Sequence, residues 1–258
     1  MKPEKIRGQH FLIEDSFVKR MVAAAGIGAG DTVVEVGPGW GMLTEKLVAV
    51  AGRVIAIEIE KKMVEYLEKT FRDDERFVIW HGDVQEFWKN MPVEPYAVVA
   101  NIPYSITSLI IRGFLEKTLR PPEQMVLMIQ KEVAGRITAQ PGDMTMLALS
   151  VQWYGTPKKL FNVPKGAFWP SPEVDSAVIH IKHISRPDPA ETKAVFALAN
   201  KAFGTKRKQL GTSLVGTALG NTKEAVAAAL RDAGIAPTAR PEELSVADWR
   251  RLWITHLT

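Results

Sequence analysis

The residues most able to do chemistry close the stretch Ala97-Val98-Val99-Ala100-Asn101-Ile102-Pro103-Tyr104. An apolar run stops at an amide, followed by a proline and an aromatic ring. A buried parallel strand with this ending tips the amide of Asn101 into the crevice at the carboxyl edge of a sheet, where open α/β sheets bind ligands. Pro103 has no N–H to donate, so it ends strand pairing and leaves nearby carbonyls turned outward. The amide oxygen and a main-chain carbonyl such as that of Ile102 can accept both N–H bonds of an exocyclic amine. Tyr104 then stacks on the planar base that carries the amine. The same four residues also make an ordinary strand-to-turn junction, so the reading depends on what surrounds them.

Three further positions have compatible chemistry. Gly37-Pro38-Gly39-Trp40-Gly41 lies between a strand pattern and a helix pattern, where close approach of a ligand to the backbone needs residues without Cβ. Its spacing is not the Gly-x-Gly-x-x-Gly of pyrophosphate binders, and it lacks the Lys-Ser/Thr ending of a P-loop. Glu58 follows Gly37 by 21 residues, at the end of the next strand, where a carboxylate accepts both ribose hydroxyls of an adenosine-containing cofactor. Asp83 ends the third strand and can accept a hydrogen bond from the adenine amine. Each has a plainer alternative: a tight turn for the glycines, helix caps for the acids, with Asp83 placed to cap a helix from Val84. With Asn101, these features end four successive strands on one sheet edge, so the plain readings would have to coincide four times.

The elements that must hold these residues are legible as alternating patterns. Strands are predicted at Thr32–Val36, Arg53–Ile57, Arg76–Trp80, the run ending at Asn101, and Met125–Ile129. Helices fall between them at Met42–Val48, Glu60–Lys69 and Ser105–Lys117, and after them at Lys131–Arg136. An amphipathic helix capped within Glu14-Asp15-Ser16 precedes them and runs to Ala25. A helix over Met144–Val151, a strand over Trp153–Phe161 and a last strand over Val174–Ile181 follow. The alternation predicts an α/β chain, a doubly wound parallel sheet closed by an antiparallel hairpin, over residues 1–185. At Ser185-Arg186-Pro187-Asp188-Pro189 the character changes. An Ala-rich stretch broken near Gly204, Gly220 and Gly234 predicts a small all-helical domain over 186–258.

Bulk properties narrow the function classes. At 258 residues, 46% hydrophobic and 24% charged, the chain can bury a sizeable core. No apolar run reaches the ~18 residues of a membrane span, and the charged N-terminus lacks a signal-peptide core. A cytoplasmic location without membrane partners is the expectation. The absence of cysteine excludes disulfides, thiol nucleophiles and Cys-ligated metals. His180 and His183 fall in one strand pattern on opposite faces, so no metal site is expected. Residues 181–258 hold 12 Lys+Arg against 7 Asp+Glu, whereas residues 1–180 hold 21 against 22. A basic C-terminal portion suits a polyanion contacted mainly at one end. No large apolar stripe is left over, which predicts a monomer.

The order of glycine-rich loop, acid, acid and Asn-x-Pro-Tyr resembles the class I S-adenosylmethionine-dependent methyltransferases. Its last element is similar to the signature of those acting on the amino groups of bases. Four stretches are together similar to the rRNA adenine N6-dimethyltransferase family: Gly8-Gln9-His10-Phe11-Leu12, Asn101-Ile102-Pro103-Tyr104, Gln130-Lys131-Glu132-Val133-Ala134, and the run from Val163 to Ser176 with its Phe-x-Pro-x-Pro-x-Val-x-Ser core. The likeness covers almost the whole chain. Phe203-Gly204-Thr205-Lys206-Arg207-Lys208-Gln209-Leu210 and Ala239-Arg240-Pro241-Glu242-Glu243-Leu244-Ser245 resemble the small-subunit members more than the large-subunit antibiotic-resistance methylases. Thr212, where asparagine is expected, and Lys206, where arginine is more usual, depart from that pattern.

This resemblance implies a Rossmann-like class I methyltransferase sheet, with a small C-terminal all-helical domain that contacts RNA. The implied reaction moves methyl groups from S-adenosylmethionine to N6 of two adjacent adenines in a small-subunit rRNA loop, on the immature small ribosomal subunit. His10 and Leu12 would cover the cofactor's methionine side, with Gln9 nearby and Gly37 and Gly39 beneath. Glu58 would hold the ribose and Asp83 the adenine. Asn101, touching both ligands, and the Pro103 turn would receive the target amine. Tyr104 and Phe168 would stack on the flipped base, the prolines beside Phe168 making a rigid loop that presents the ring; a core aromatic is the plainer reading. Lys206, Arg207 and Lys208, with Arg112 or Arg136, would contact RNA phosphates, although a solvated helix start explains the 206–208 cluster equally well. Two rivals share the fold: a large-subunit methylase and a non-catalytic nucleic-acid-binding assembly or transcription factor. A nucleotide-dependent dehydrogenase would leave Asn101 to Tyr104 unexplained.

Overall fold

Near-continuous apolar runs become the inner strands of a parallel sheet, and the helical patterns between them become its crossovers. The computed structural model describes residues 10–256. In chain order the first elements are β1 (Phe11–Leu12), α1 (Asp15–Ala25), β2 (Thr32–Val36), α2 (Met42–Val48), β3 (Arg53–Glu58), α3 (Lys61–Thr70), β4 (Phe77–His81), β5 (Tyr96–Asn101), α4 (Thr107–Glu116), β6 (Gln124–Gln130) and α5 (Lys131–Ile137). Then come α6 (Met146–Gln152), β7 (Thr156–Val163), β8 (Phe168–Trp169), β9 (Ser176–Lys182), α7 (Pro189–Gly204), α8 (Leu210–Ser213), α9 (Lys223–Asp232) and α10 (Val246–His256).

Seven strands form one sheet in the order β4-β3-β2-β5-β6-β9-β7. The first five are parallel, and β9 pairs antiparallel with both β6 and β7. The chain winds outward from β2 to β4, returns, and winds the other way through β5 and β6. The carboxyl ends of β2 and β5 therefore flank the point where strand order reverses, the place where doubly wound sheets hold ligands. The predicted hairpin differs in one respect: β9, later in sequence, inserts between β6 and β7.

Both faces of the sheet are covered, which is why its inner strands are largely apolar rather than alternating. On one face α1 contributes Val18, Met21 and Ala25 at helical spacing to a core containing Leu47, Val54, Val99, Val126 and Val178. On the other, Phe114 of α4 meets Trp88 edge-on at 5.2 Å. The indole lies so close over α4 that a Cβ at Gly113 would come within 2.2 Å of it. Burying one ring of this kind contributes roughly 2–3 kcal/mol. Residues Val84–Asn90 form a 3-10 helix rather than an α-helix. His183 lies beyond β9 in a left-handed bend (φ 53°), not on the strand beside His180.

The chain divides into two compact units, residues 1–135 with 155–185, and 136–154 with 186–258. The segment 136–154 was expected in the first. It belongs to the second because Trp153, expected in a strand, instead closes α6 and is buried against α7. Its indole N–H donates to the Thr192 hydroxyl at 3.0 Å and its ring meets Phe196 edge-on. The carbonyl of Glu242 also accepts from the N–H groups of Gly142 and Met144. Within this unit α7 begins as the sequence requires, with Pro189 in the first turn and the Asp188 carboxylate accepting from Ala190 and Glu191. Trp249, Val195, Ala199, Leu210 and Leu230 fill its interior.

Among the described residues no helix is long and apolar enough to cross a membrane, and no group of three or more His, Asp or Glu side chains is arranged to hold a metal ion.

Candidate active site

A cavity of about 610 Å³ opens at the carboxyl edge of the parallel strands. Its wall brings together His10, Leu12, Gly37, Gly39, Glu58, Asp83, Asn101, Pro103, Tyr104 and Phe168. Gln9 lies outside the described residues.

The glycine-rich loop leaves β2 through Gly37 and Gly39, both left-handed (φ 69° and 58°). A Cβ on Gly39 would also press on the ring of Phe11 at 3.1 Å, so a larger residue here is strained in conformation and tight in contact. Glu58, only 4% exposed, ends β3 and faces that loop. One carboxylate oxygen accepts from the N–H groups of Ile59 and Glu60 at 2.9 and 3.0 Å; the other accepts from Gly39 at 3.1 Å. Burial raises its proton affinity, and those three N–H bonds oppose the rise. Its remaining lone pairs suit a vicinal diol. Asp83 follows β4, where its carboxylate accepts from the Gln85 N–H at 2.8 Å. It thus caps the 3-10 helix and lines the cavity at once, so the two readings of this acid are compatible.

Asn101 is the last residue of β5, half-buried, and its side-chain amide has no hydrogen-bond partner among the described residues. The Pro103 carbonyl is occupied, accepting from the Ile106 N–H at 3.2 Å as a 3-10 turn begins. The Ile102 N–H is tied to the Met128 carbonyl at 3.1 Å. Among the described residues no such bond occupies the carbonyl of Ile102, which leaves it free to accept next to Asn101. The Tyr104 hydroxyl lies 2.6 Å from the Ser176 hydroxyl, and burial raises the phenol's proton affinity.

Phe168 is 3% exposed and packs into the apolar core while lining the cavity. It is not held out on a proline-framed loop as the sequence suggested, because the chain around it is pinned from outside the main sheet. Leu12 and Phe11 of β1 pair with Phe168 and Trp169 of β8, and Ile13 donates to the Ala167 carbonyl at 2.8 Å. His10 completes the clasp, its Nδ1 2.7 Å from the Pro170 carbonyl, which fixes that nitrogen as the protonated one.

A model of the ribosomal RNA adenine dimethylase family matches residues 2–255. The chain belongs to that family. It is 42% identical to the ribosomal RNA small subunit methyltransferase A of Dehalococcoides mccartyi, over 99% of this chain and 89% of that protein. Its fold is similar to that of the crystal structure of the 23S rRNA methyltransferase ErmE (TM-score 0.78, 25% identity, 95% of this chain and 99% of that one). It is equally similar to a dimethyladenosine transferase from Plasmodium falciparum (TM-score 0.78, 26% identity, 95% and 96%). The fold is therefore the Rossmann-like α/β sheet of class I methyltransferases.

The remaining sequence-derived positions of this dimethylase are not part of the cavity's lining. Lys206, Arg207 and Lys208 are exposed in the turn between α7 and α8, in the second unit, and do not start a helix. Arg112 forks onto Glu116 at 3.1 Å through both its Nε and a terminal nitrogen. Arg136 is exposed on α5. The wall also holds a buried acid to which the sequence reading assigns no role. Glu35, 1% exposed within β2, accepts a hydrogen bond from the Thr44 hydroxyl at 2.7 Å. Burial, assisted by the nearby Glu58 carboxylate, pushes it up to about 8. An acid inside the otherwise apolar run Val33-Val34-Glu35-Val36 was the signal that marked it.

Proposed function

We propose that this enzyme transfers methyl groups from S-adenosylmethionine to N6 of two adjacent adenines in a loop of small-subunit rRNA, giving N6,N6-dimethyladenosine on the immature small subunit. The observation that carries the chemistry is the side-chain amide of Asn101, which has no hydrogen-bond partner among the described residues and lines the same cavity as Glu58, Asp83 and Tyr104. The identity with a small-subunit methyltransferase A supports the choice of rRNA.

The residues present suit the cofactor. Glu58 offers lone pairs to a ribose diol, Asp83 one to an adenine amine, and the glycine loop a backbone surface without Cβ. Glu35 offers a buried carboxyl toward a cationic amino group. When bound, S-adenosylmethionine supplies an electrophilic methyl group on a sulfonium with a good leaving group. The protein's task is then orientation rather than proton abstraction.

The N6 lone pair of adenine is delocalised into the ring and is a poor nucleophile. Asn101 Oδ1 and the Ile102 carbonyl accept its two N–H bonds, which favours a pyramidal nitrogen and the positive charge that develops as the N–C bond forms and the methyl–sulfur bond breaks; the alkylated nitrogen then loses its proton to solvent. Tyr104 stacks on the ring and Phe168 closes the far wall. Holding the amine in line can supply up to ~7–11 kcal/mol. The target must leave its stack, at a cost of a few kcal/mol that is least for a loop adenine. Lys206, Arg207 and Lys208 engage phosphates and position the RNA without reading sequence.

Labelled methyl transfer to unmodified small subunits, large subunits and naked rRNA tests the proposal, with Asn101→Ala alongside. Label as N6,N6-dimethyladenosine on small subunits alone, lost in the variant, is the expected result. Label only on large-subunit RNA would reassign the substrate. Tight RNA binding without label on any RNA would leave a binding factor on a methyltransferase fold.

A further inference from the structure

Ser176 closes the Phe-x-Pro-x-Pro-x-Val-x-Ser run that begins at Phe168, and nothing in the reaction outlined above uses it. It is fully buried and opens β9, where it pairs with Gln130 of β6 on one side and Val163 of β7 on the other. Two ladders therefore fix its backbone, and only χ1 is left to aim its hydroxyl. Tyr104 has no such support. It sits in the 3-10 turn Tyr104–Ile106 between β5 and α4, outside any ladder, so the tilt of its ring is set by what its side chain touches. Those contacts include, among the described residues, the Ser176 hydroxyl, 2.6 Å from the phenol oxygen, and the His10 ring, 26° from parallel at 6.1 Å.

We propose that Ser176 is a positioning residue: its hydroxyl pins the tip of Tyr104, holding the ring at the tilt that sets the stacked adenine's amine against Asn101. This rests on the reading of Asn101 and Tyr104 as the base site. A phenol can rotate about χ1 and χ2, swinging a stacked base through an arc. The in-line approach tolerates little of that motion, since a displacement of about 1 Å can cost ~10²-fold in rate. A hydrogen bond from the sheet's own framework removes the freedom without touching the substrate.

The test is single-turnover methyl transfer to immature small subunits at saturating cofactor, for Ser176→Ala, Tyr104→Phe, the double variant, Ser176→Thr and Tyr104→Ala. Each of the first two should slow transfer by roughly 10- to 100-fold, with substrate KM and cofactor Kd within about twofold of the wild type. The double variant should be no slower than either alone, because both remove the same bond. Ser176→Thr, which restores the hydroxyl, should recover most of the rate. Effects of the two single variants that multiply, or a loss confined to Ser176→Ala, would reduce Ser176 to a packing residue and overturn the proposal. Wild-type rates in both, with Tyr104→Ala inactive, would also overturn it while leaving the base site intact. Wild-type rate in Tyr104→Ala would instead overturn the base-site reading.

Discussion

Replacing Glu35 by Gln should make the protein more stable at neutral pH and change little in acid. Glu35 is buried, with one hydroxyl partner, and its proton affinity rises from the usual 4.5 to about 8. Between those values the folded chain keeps a proton that the unfolded chain releases. Folding stability from this group is therefore fullest below pH 4.5 and declines as pH rises toward 8. The slope is at most about 1.4 kcal/mol per pH unit for one proton, so from pH 5 to pH 7 the loss is about 3 kcal/mol. Glutamine can accept from Thr44 with its carbonyl and place its NH₂ where the protonated oxygen stands, and it does not titrate. Urea unfolding of the ligand-free proteins at pH 5, 6, 7 and 8 gives the difference between variant and wild type directly. That difference should move in favour of Glu35→Gln by about 3 kcal/mol between pH 5 and 7. A difference independent of pH would show that Glu35 is ionised in the fold, and the burial argument would fail. The same carboxyl predicts proton release when a cationic cofactor binds near pH 7, checked by calorimetry in two buffers of unlike ionisation enthalpy.

Glu58→Gln puts an NH₂ group against a backbone N–H and replaces a charged acceptor by a neutral one. The cofactor Kd should rise roughly 10- to 100-fold in equilibrium dialysis. Joint replacement of Lys206, Arg207 and Lys208 by Ala should lower the slope of log affinity against log salt for rRNA by about two, measured by filter binding, with cofactor affinity unchanged. His180, hydrogen-bonded at 2.6 Å to Gln124, is held down to about 4 by burial, with Lys182 adding to the effect. It is neutral in the fold while the unfolded chain protonates near 6.5, so its stabilising contribution is lost as pH falls from 6.5 toward 4. Denaturation of His180→Gln should show a shallower loss of stability over that window than the wild type.

The parallel strands and their crossovers were legible because local pattern decides them: the run ending at Asn101 is both apolar and β5 itself. The four features at the sheet edge converge for the same reason, since parallel strands bring their carboxyl ends to one side. What escaped was set by distant partners. Phe11 and Phe168 show no strand periodicity, yet they belong to β1 and β8, which pair across more than 150 residues. Trp153 continues an apolar pattern that suits a strand, but a whole domain offers its indole a better site. Phe168 looked like a presented ring because its prolines are visible locally, whereas the core that swallows it is not. Glu35 is masked locally by the apolar run around it, although a charge within a buried strand is itself an anomaly. The residues 84–90 kept their cap and lost only the helix type.

The insertion of β9 between β6 and β7 also dictates an order of assembly. As the chain leaves the ribosome, β2 to β6 can pair as they emerge. The outer edge of β6, whose residues Met125 to Ile129 are fully buried in the finished sheet, then has no partner until residues 176–182 are made. Strand β7 emerges earlier but can only wait, since β9 is its one sheet neighbour among the described residues. The arrival of β9 seals an exposed apolar edge, recruits β7 and delivers Ser176 to Tyr104 in one event, shortly after the loop that clasps His10 to Leu12. A nascent chain thus carries the carboxyl ends of all five parallel strands well before Ser176 arrives to fix the tip of Tyr104.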